Sequence, residues 1–292
     1  MIYLLLVSCL WAFSFGLIRV SFGTVDPILL ACMRLVLSAL IFVPFLQVRG
    51  VSWKHRGQLL MIGSVQYGAM YVLLFSAFQF VGPRSYLIAL FTLTTPILVL
   101  ICASAMERRP GWHGWAAGTL AVIGAAVIQW RTDLGSGFWK SFLLLQGSNA
   151  AFAFGQIAYR RVQLQITTAL PEVSDRHIFG WMFLGGVIFT GLASTVRSDW
   201  GALAQLDGKQ WATLVYLGMI ASGLGFFWWN RGATLVTPPT LAVLNNLKVP
   251  LAVIVSLLVF QEWRAVAWPQ FVAGSAVLGT AFWLSQRSTS DK

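Results

Sequence analysis

Apolar runs of about 20 residues follow one another along most of this chain, and that succession restricts its fold more than any other feature. A run of that length crosses the hydrocarbon core of a bilayer as an α-helix. Cutting the runs at charges, prolines and polar clusters predicts ten spans, at 1–22, 27–47, 57–80, 84–106, 112–130, 138–159, 176–196, 208–230, 237–260 and 266–285. The connections are short, the longest running from Arg160 to Asp175, so no soluble domain fits between them. The first 20 residues lack a basic leading region and an Ala-x-Ala cleavage site and read as a retained first helix. The reading is an all-α, multi-pass membrane protein in contact with the lipid bilayer, with a polar tail from Gln286 to Lys292 that is expected to be disordered.

The formal net charge of +11 raises the question of nucleic acid. The basic residues stand singly or in pairs between apolar runs, however, without a polar face or aromatic platforms, which argues against that partner. Counting Lys and Arg by side places eleven on the side shared by both termini and seven on the other, with Arg34 and Lys248 inside spans. The excess puts the N- and C-termini in the cytoplasm. Cys9, Cys32 and Cys102 lie within apolar runs without metal-ligand spacing, so neither a disulfide framework, a metal nor a cofactor is called for. No HExxH, GxSxG or P-loop is present, and the chain does not read as an enzyme. Gly114 and Gly118 form a GxxxG that is weak support for a dimer, and a monomer is expected.

The chain repeats itself. Ala12 to Gly16 (AFSFG) matches Ala151 to Gly155 (AFAFG), and Gly63, Gly68 and Pro83 match Gly218, Gly223 and Pro238 at a constant offset of 155. Pro96 and Glu107 answer to Pro250 and Glu262 with a one-residue slip. Residues 1–133 and 134–292 then form two repeats of five spans each, and an odd number turns the second upside down relative to the first. Inverted repeats of this kind belong to secondary transporters, whose substrate site lies near the midplane where the halves meet.

Within the spans there is no Asp or Glu, so a buried carboxylate relay has no candidate. Lys248 sits near the middle of the ninth span, where a charge costs roughly 2.5–3.5 kcal/mol. Its two readings are a neutral amine bonded to backbone carbonyls and a counter-charge for an anionic substrate group. Pro250 is expected to free the carbonyl of Asn246, and Pro96 that of Thr92, with Thr94 in the place of Lys248. Asn245, three residues before Lys248, shares its helical face, and Asn245, Asn246 and Lys248 together form a one-sided cationic site. Arg34, about 10 Å into the second span, is either a lock between helices or a point of first contact for substrate on the outer side. Gln66, Asn149 and Asn245 are the amides expected at the centre, Trp11 and Tyr71 are candidate walls, and Phe226 to Trp229 read as wall or interfacial belt.

Ten spans in two inverted halves, with Glu107 and Glu262 closing the fourth and ninth spans, resemble the EamA family of the drug/metabolite transporter (DMT) superfamily over the whole chain. LWAFSF near the start, VDPILLACMRLVLSALIFVPFLQVRG and SGLGFFWWNRGATLVTPPTLAVLNNLKVP resemble, more narrowly, its biotin-transporting members in proteobacterial inner membranes. In those members a histidine occupies the place of Lys248, so a basic or donor group is shared but a permanent charge is not required. The resemblance implies a secondary transporter that takes up biotin by alternating access. Lys248 or Arg34 would pair the carboxylate, Asn149, Asn245 and Gln66 would bind the ureido ring, and Trp11 and Tyr71 would hold the apolar ring and tail. The alternatives are an exporter of amino acids or related metabolites, and a receptor that binds without transport.

Overall fold

The computed structural model describes residues 1–18, 22, 25–81, 86–107, 110–129, 138–259 and 267–287, and all the regular structure among them is helical. Pro83 and Glu262 of the internal match, the junction at 133 and 134, Trp263, residues 288–292 and, from the charge count, Arg19, Arg84, Arg108, Arg109, Arg131 and Arg264 lie outside the described residues. Among those described, six helical stretches are long and apolar enough to cross a membrane: Pro27–Phe45, Trp53–Phe80, Ile88–Met106, Asp175–Val196, Gly208–Thr234 and Pro238–Val255. They fall on the expected second, third, fourth, seventh, eighth and ninth spans. Helices α1 (Ile2–Ile18), α7 (Trp112–Gln129), α8 (Phe138–Ala169) and α14 (Trp268–Arg287) occupy the other four positions.

Local chemistry sets the ends of these elements. Helix α2 (Pro27–Phe42) begins where the Asp26 carboxylate accepts from the N–H groups of Ile28 (2.9 Å) and Leu29 (3.2 Å), with Pro27 preset for the first helical position. Helix α3 (Trp53–Gly63) passes through a π-helical segment, Ser64–Ala69, into α4 (Met70–Val81). A long helix α9 (Asp175–Arg197) follows α8, and α10 (Gly208–Val215) passes through a second π-helical segment, Tyr216–Leu224, into α11 (Gly225–Thr234).

Three expectations about helix continuity are corrected. The connection after the sixth span was expected to start at Arg160, but α8 runs on to Ala169. Nothing between Arg160 and Ala169 breaks a helix, and Val162 and Ile166 bury one face at a spacing of four. The Arg160-Arg161 pair marks a change of polarity, not a helix end. The fourth span is split into α5 (Tyr86–Phe91), a tight turn at Thr92–Thr94 and α6 (Thr95–Met106). The ninth is split into α12 (Pro238–Asn245) and α13 (Lys248–Val259). Pro96 and Pro250 each fall in the first turn of the second piece, where a missing N–H costs no hydrogen bond.

The helices pack crosswise. Helix α9 lies against α2, α3 and the π segment at 64–69, while α2 lies against the π segment at 216–224. Helix α7 pairs with α14, α6 with α12, α8 with α3 and α4, and α1 with α11 and α13. Helices α3 and α9 touch backbone to backbone: a Cβ on Gly63 would run into the Met182 carbonyl, and one on Gly185 into that of Leu60. Gly114 and Gly118 pack on Pro239 and Leu100 of the same chain, so this GxxxG is used internally.

Aromatic rings fill the largest core. Tyr67 stacks between Phe183 (5.4 Å between centroids) and Phe226 (4.6 Å), and such pairs contribute about 0.5–1.5 kcal/mol each beyond area burial. At one end of the bundle, Asp175 accepts from Tyr159 Oη (2.7 Å) and from Arg231. There Arg160 pairs with Glu107 at 3.1 Å and donates to the carbonyls of Ala233 and Val236. These contacts tie the ends of α6 and α11 and the start of α9 to the middle of α8. Trp53, Trp112 and Trp139 are 81%, 70% and 69% exposed, as side chains of an interfacial belt are.

Candidate functional site

The two interrupted helices meet at their interruptions. Asn246, fully buried in the gap between α12 and α13, donates from Nδ2 to the carbonyl of Leu93 (2.9 Å), inside the turn between α5 and α6, and to that of Ala121 (3.1 Å) on α7. From α8, Asn149 Nδ2 donates to the Phe91 carbonyl (2.9 Å) and to Thr94 Oγ1 (3.3 Å). Gln146 Oε1 accepts from Thr94 Oγ1 (2.5 Å) and its Nε2 donates to Phe91 O (3.2 Å). A helix end buried in a bilayer needs partners for its free carbonyls, and these three amides supply them.

The expected free acceptors at the prolines are not free. Asn246 O accepts the Val249 N–H at 3.1 Å, and Thr92 O accepts from Thr95, both from its N–H and from Oγ1 (2.6 Å). Each carbonyl is recovered by a tighter turn, which is why proline interrupts a buried helix here at little cost. Asn245 and Lys248 also do not share one continuous face, because the helix breaks between them. Asn245 Nδ2 faces α8 and its own preceding turn, donating to Gln156 Oε1 (3.1 Å) and Leu241 O (2.9 Å).

Lys248 is the first residue of α13. It is half-buried and makes no hydrogen bond or ion pair among the described residues. A cation at a helix N-terminus adds to the positive end of the helix dipole, so helix stability alone does not select it. The same arrangement suits an anion, to which both the ammonium and the end of the half-helix are attracted.

The second part of the site is an aromatic box with an arginine at its edge. Trp11 of α1 donates from Nε1 to Ala221 O (2.9 Å), stacks on Trp229 at 5.0 Å and meets Phe226 edge-on at 5.6 Å. Arg34 donates from Nε (3.1 Å) and Nη2 (2.8 Å) to Ser222 Oγ, and its guanidinium lies 5.2 Å from the centre of the Tyr71 ring. Tyr71 Oη lies 3.3 Å from the same Ser222 hydroxyl. Arg34 therefore bridges α2 to the π segment of 216–224.

Amides close the box on the side of α8. Gln66 and Asn230 exchange hydrogen bonds at 3.0 and 3.3 Å, and Asn230 also donates to Tyr67 Oη at 2.5 Å. Gly155 lets α8 pass directly over the Gln66 side chain, whose atoms would collide with a Cβ there. Gln156 Oε1 accepts from Trp229 Nε1 (3.0 Å) and Asn245 Nδ2, joining the box to the end of α12.

Of the residues singled out from the sequence, Trp11, Arg34, Tyr71 and Asn245 thus belong to one connected set running through Ser222, Phe226, Trp229 and Gln156. Gln66 lies beside it, under Gly155. Asn149 and Asn246 brace the two helix interruptions, and Lys248 stands at the start of α13 without a bond to either group. Phe226 and Trp229 are 5% and 1% exposed, which makes them walls and not belt. Sequence reasoning passed over Ser222 and gave Gln156 no role. Gln156 directly follows the repeated Ala-Phe-x-Phe-Gly, a usable signal. Ser222 owes its position to a π-helical turn, which the sequence does not announce.

The EamA-like transporter family model matches residues 1–130 and 141–286. A "Probable biotin transporter" of Pseudomonas aeruginosa is 37% identical over 285 residues, 97% of this chain and 96% of that protein. "Biotin transporter" proteins of Salmonella typhimurium and Escherichia coli are each 35% identical, over 98% of this chain and 93% of theirs. A crystal structure with 17% sequence identity superposes with a TM-score of 0.74 over 97% of this chain and 96% of its own, a likeness of fold. With a family match across both halves and relatives alike over nearly their whole length, the chain is a member of the EamA-like transporter family.

Proposed function

We propose that the chain is a biotin uptake transporter of the bacterial inner membrane, working by alternating access around a site between its two halves. The observation that carries the substrate is the near-full-length similarity to proteins named biotin transporter. The site inventory suits that ligand. Lys248, at the start of a half-helix, pairs the substrate carboxylate; the amides of Gln66, Asn149, Asn245 and Asn246 lie around the ureido ring; Trp11 and Tyr71, with Phe226 and Trp229, hold the apolar ring and tail; Arg34 offers a second cation beside them.

In this reading ten helices cross the membrane as two inverted repeats, 1–133 and 134–292, with both termini cytoplasmic and the protein a monomer. Three features support the repeat. The π segments at 64–69 and 216–224 overlap at the offset of 155 found in the sequence, and the interruptions at 92–94 and 246–247 correspond at 154. The packing is crosswise: the expected third span lies on the seventh while the eighth lies on the second. The cation is on one side only, since Thr94 stands where the other half has Lys248, and a single-carboxylate substrate fits that asymmetry.

Inward movement of a monoanion opposes an inside-negative potential by about 2.3 kcal/mol per 100 mV, so accumulation requires proton co-entry or trapping inside. The test is growth of a biotin-synthesis mutant on trace biotin with and without this gene. Rescue is expected. Absence of rescue by protein verified in the membrane refutes the uptake reading.

A further inference from the structure

A cavity of about 430 Å³ opens on the side of the bundle between α3, α8 and the end of α6, away from the aromatic box. Its walls change character in step. On α3, Lys54 and Gln58 precede Met61 and Ile62 along one helical face, spaced by four and by seven. On α8, running the other way, Phe154 and Ala158 precede Arg161 and Gln165 on one face. Both helices thus turn from apolar to polar at the same end, over about 12 Å on α3 and about 16 Å on α8 at the helical rise. Met61, 55% exposed, opens the apolar part outward over a floor of buried Ile62, Ala158 and Val162, and Trp53, next to Lys54, is an exposed interfacial tryptophan.

We infer that this cavity binds an anionic phospholipid, with the phosphate between Lys54 and Arg161 and an acyl chain laid along Met61, Ile62 and Phe154. The charge favours an anion. Among the described residues the lining contains two cations and no acid, and Glu107, which follows the lining Met106, is already paired with Arg160. Arg161 is oriented by donating from Nη1 to the Met106 carbonyl at 3.2 Å, while Lys54 is exposed and unpaired among the described residues. Gln58 Oε1 is buried there with no hydrogen-bond donor among the described residues, which leaves an acceptor for a headgroup hydroxyl. An apolar groove with a basic, amide-bearing rim at the membrane–water boundary matches the two-part chemistry of an anionic lipid better than that of a soluble anion, which would leave the groove unfilled.

The test is thermal unfolding of the purified full-length protein in neutral detergent, titrated with phosphatidylglycerol, phosphatidylcholine or glycerol 3-phosphate. Phosphatidylglycerol is expected to raise the unfolding midpoint saturably, with no saturable effect from the other two. Lys54→Gln, whose side chain is exposed and leaves the fold alone, is expected to weaken the apparent affinity about fivefold, and Lys54→Gln with Arg161→Gln to remove the effect. Equal stabilisation by phosphatidylcholine overturns the headgroup assignment. Stabilisation by glycerol 3-phosphate overturns the lipid assignment in favour of a soluble anion, and an unchanged affinity in Lys54→Gln overturns the site.

Discussion

Gln156 is where the two parts of the proposed site are joined, so its replacement tests whether the box and the broken helix act as one unit. Its Oε1 accepts from Trp229 Nε1 at 3.0 Å and from Asn245 Nδ2 at 3.1 Å, and the residue is fully buried. In Gln156→Leu, Asn245 keeps its bond to Leu241 O, but Trp229, 1% exposed, loses its acceptor. An unpaired buried donor costs about 1–3 kcal/mol on the scale of soluble proteins. In a bilayer the unfolded reference also finds partners, which lowers the interaction to about 0.6–1.7 kcal/mol. Trp229→Phe removes the donor along with one of the two fused rings, a packing loss that the single variant measures, so the double variant leaves no orphaned N–H and is expected to recover most of the loss that Gln156→Leu incurs through this pair. The assay is reversible unfolding in mixed micelles by SDS titration for wild type, both single variants and the double. A coupling of about 0.6–1.7 kcal/mol is expected between the two positions. Effects that add to within about 0.3 kcal/mol would refute the joint role of this hydrogen bond.

Other substitutions probe the remaining contacts. Gly63→Ala drives a Cβ into the Met182 carbonyl and is expected to cost at least about 1–3 kcal/mol, read as a lower unfolding midpoint and poorer yield of monodisperse protein. Asp175→Ala strips the buried Tyr159 hydroxyl of its acceptor and Arg231 of its partner, so it is expected to destabilise more than Tyr159→Phe, by about 1–3 kcal/mol in the same unfolding assay. Ser222→Ala removes the oxygen shared by Arg34 and Tyr71 and is expected to raise the KM of biotin uptake, with folded yield preserved; an unchanged KM argues that Arg34 is a lock between helices and nothing more.

Much of this architecture is written in the chain at the level of polarity. Apolar length located helices wherever a span was expected, and the glycines repeated at an offset of 155 lie in or beside the two π segments. Polarity could not say where a helix stops. Arg160 and Arg161 change the solvent preference of α8 without breaking it, whereas in the turns before Pro96 and Pro250 the helix stops and restarts where a kink in a continuous helix was expected. Individual side chains were legible as polar in an apolar setting, but their partners were not. Asn149 was expected at the centre and Asn246 beside Lys248, and the structure shows what they hold: Asn149 the Phe91 carbonyl where α5 ends, Asn246 the carbonyls of Leu93 in the turn that follows and of Ala121 on α7. Arg34 had no readable partner because Ser222 is an ordinary residue until a π turn aims it inward. Hydrogen bonds between distant helices depend on the packing of the whole bundle, which spacing along one helix does not encode.

Lys248 stands half-buried at the start of α13, without a hydrogen bond or ion pair among the described residues, where a substrate carboxylate would complete it. Equilibrium binding of biotin and of biotin methyl ester to purified wild type and Lys248→Ala addresses it directly. If Lys248 pairs the carboxylate, wild type prefers the acid by about tenfold, a difference of about 1.4 kcal/mol, and the variant loses that preference while still binding the ester as wild type does. A variant that discriminates acid from ester as strongly as wild type contradicts the account and passes the role to another cation, with Arg34 the first to examine.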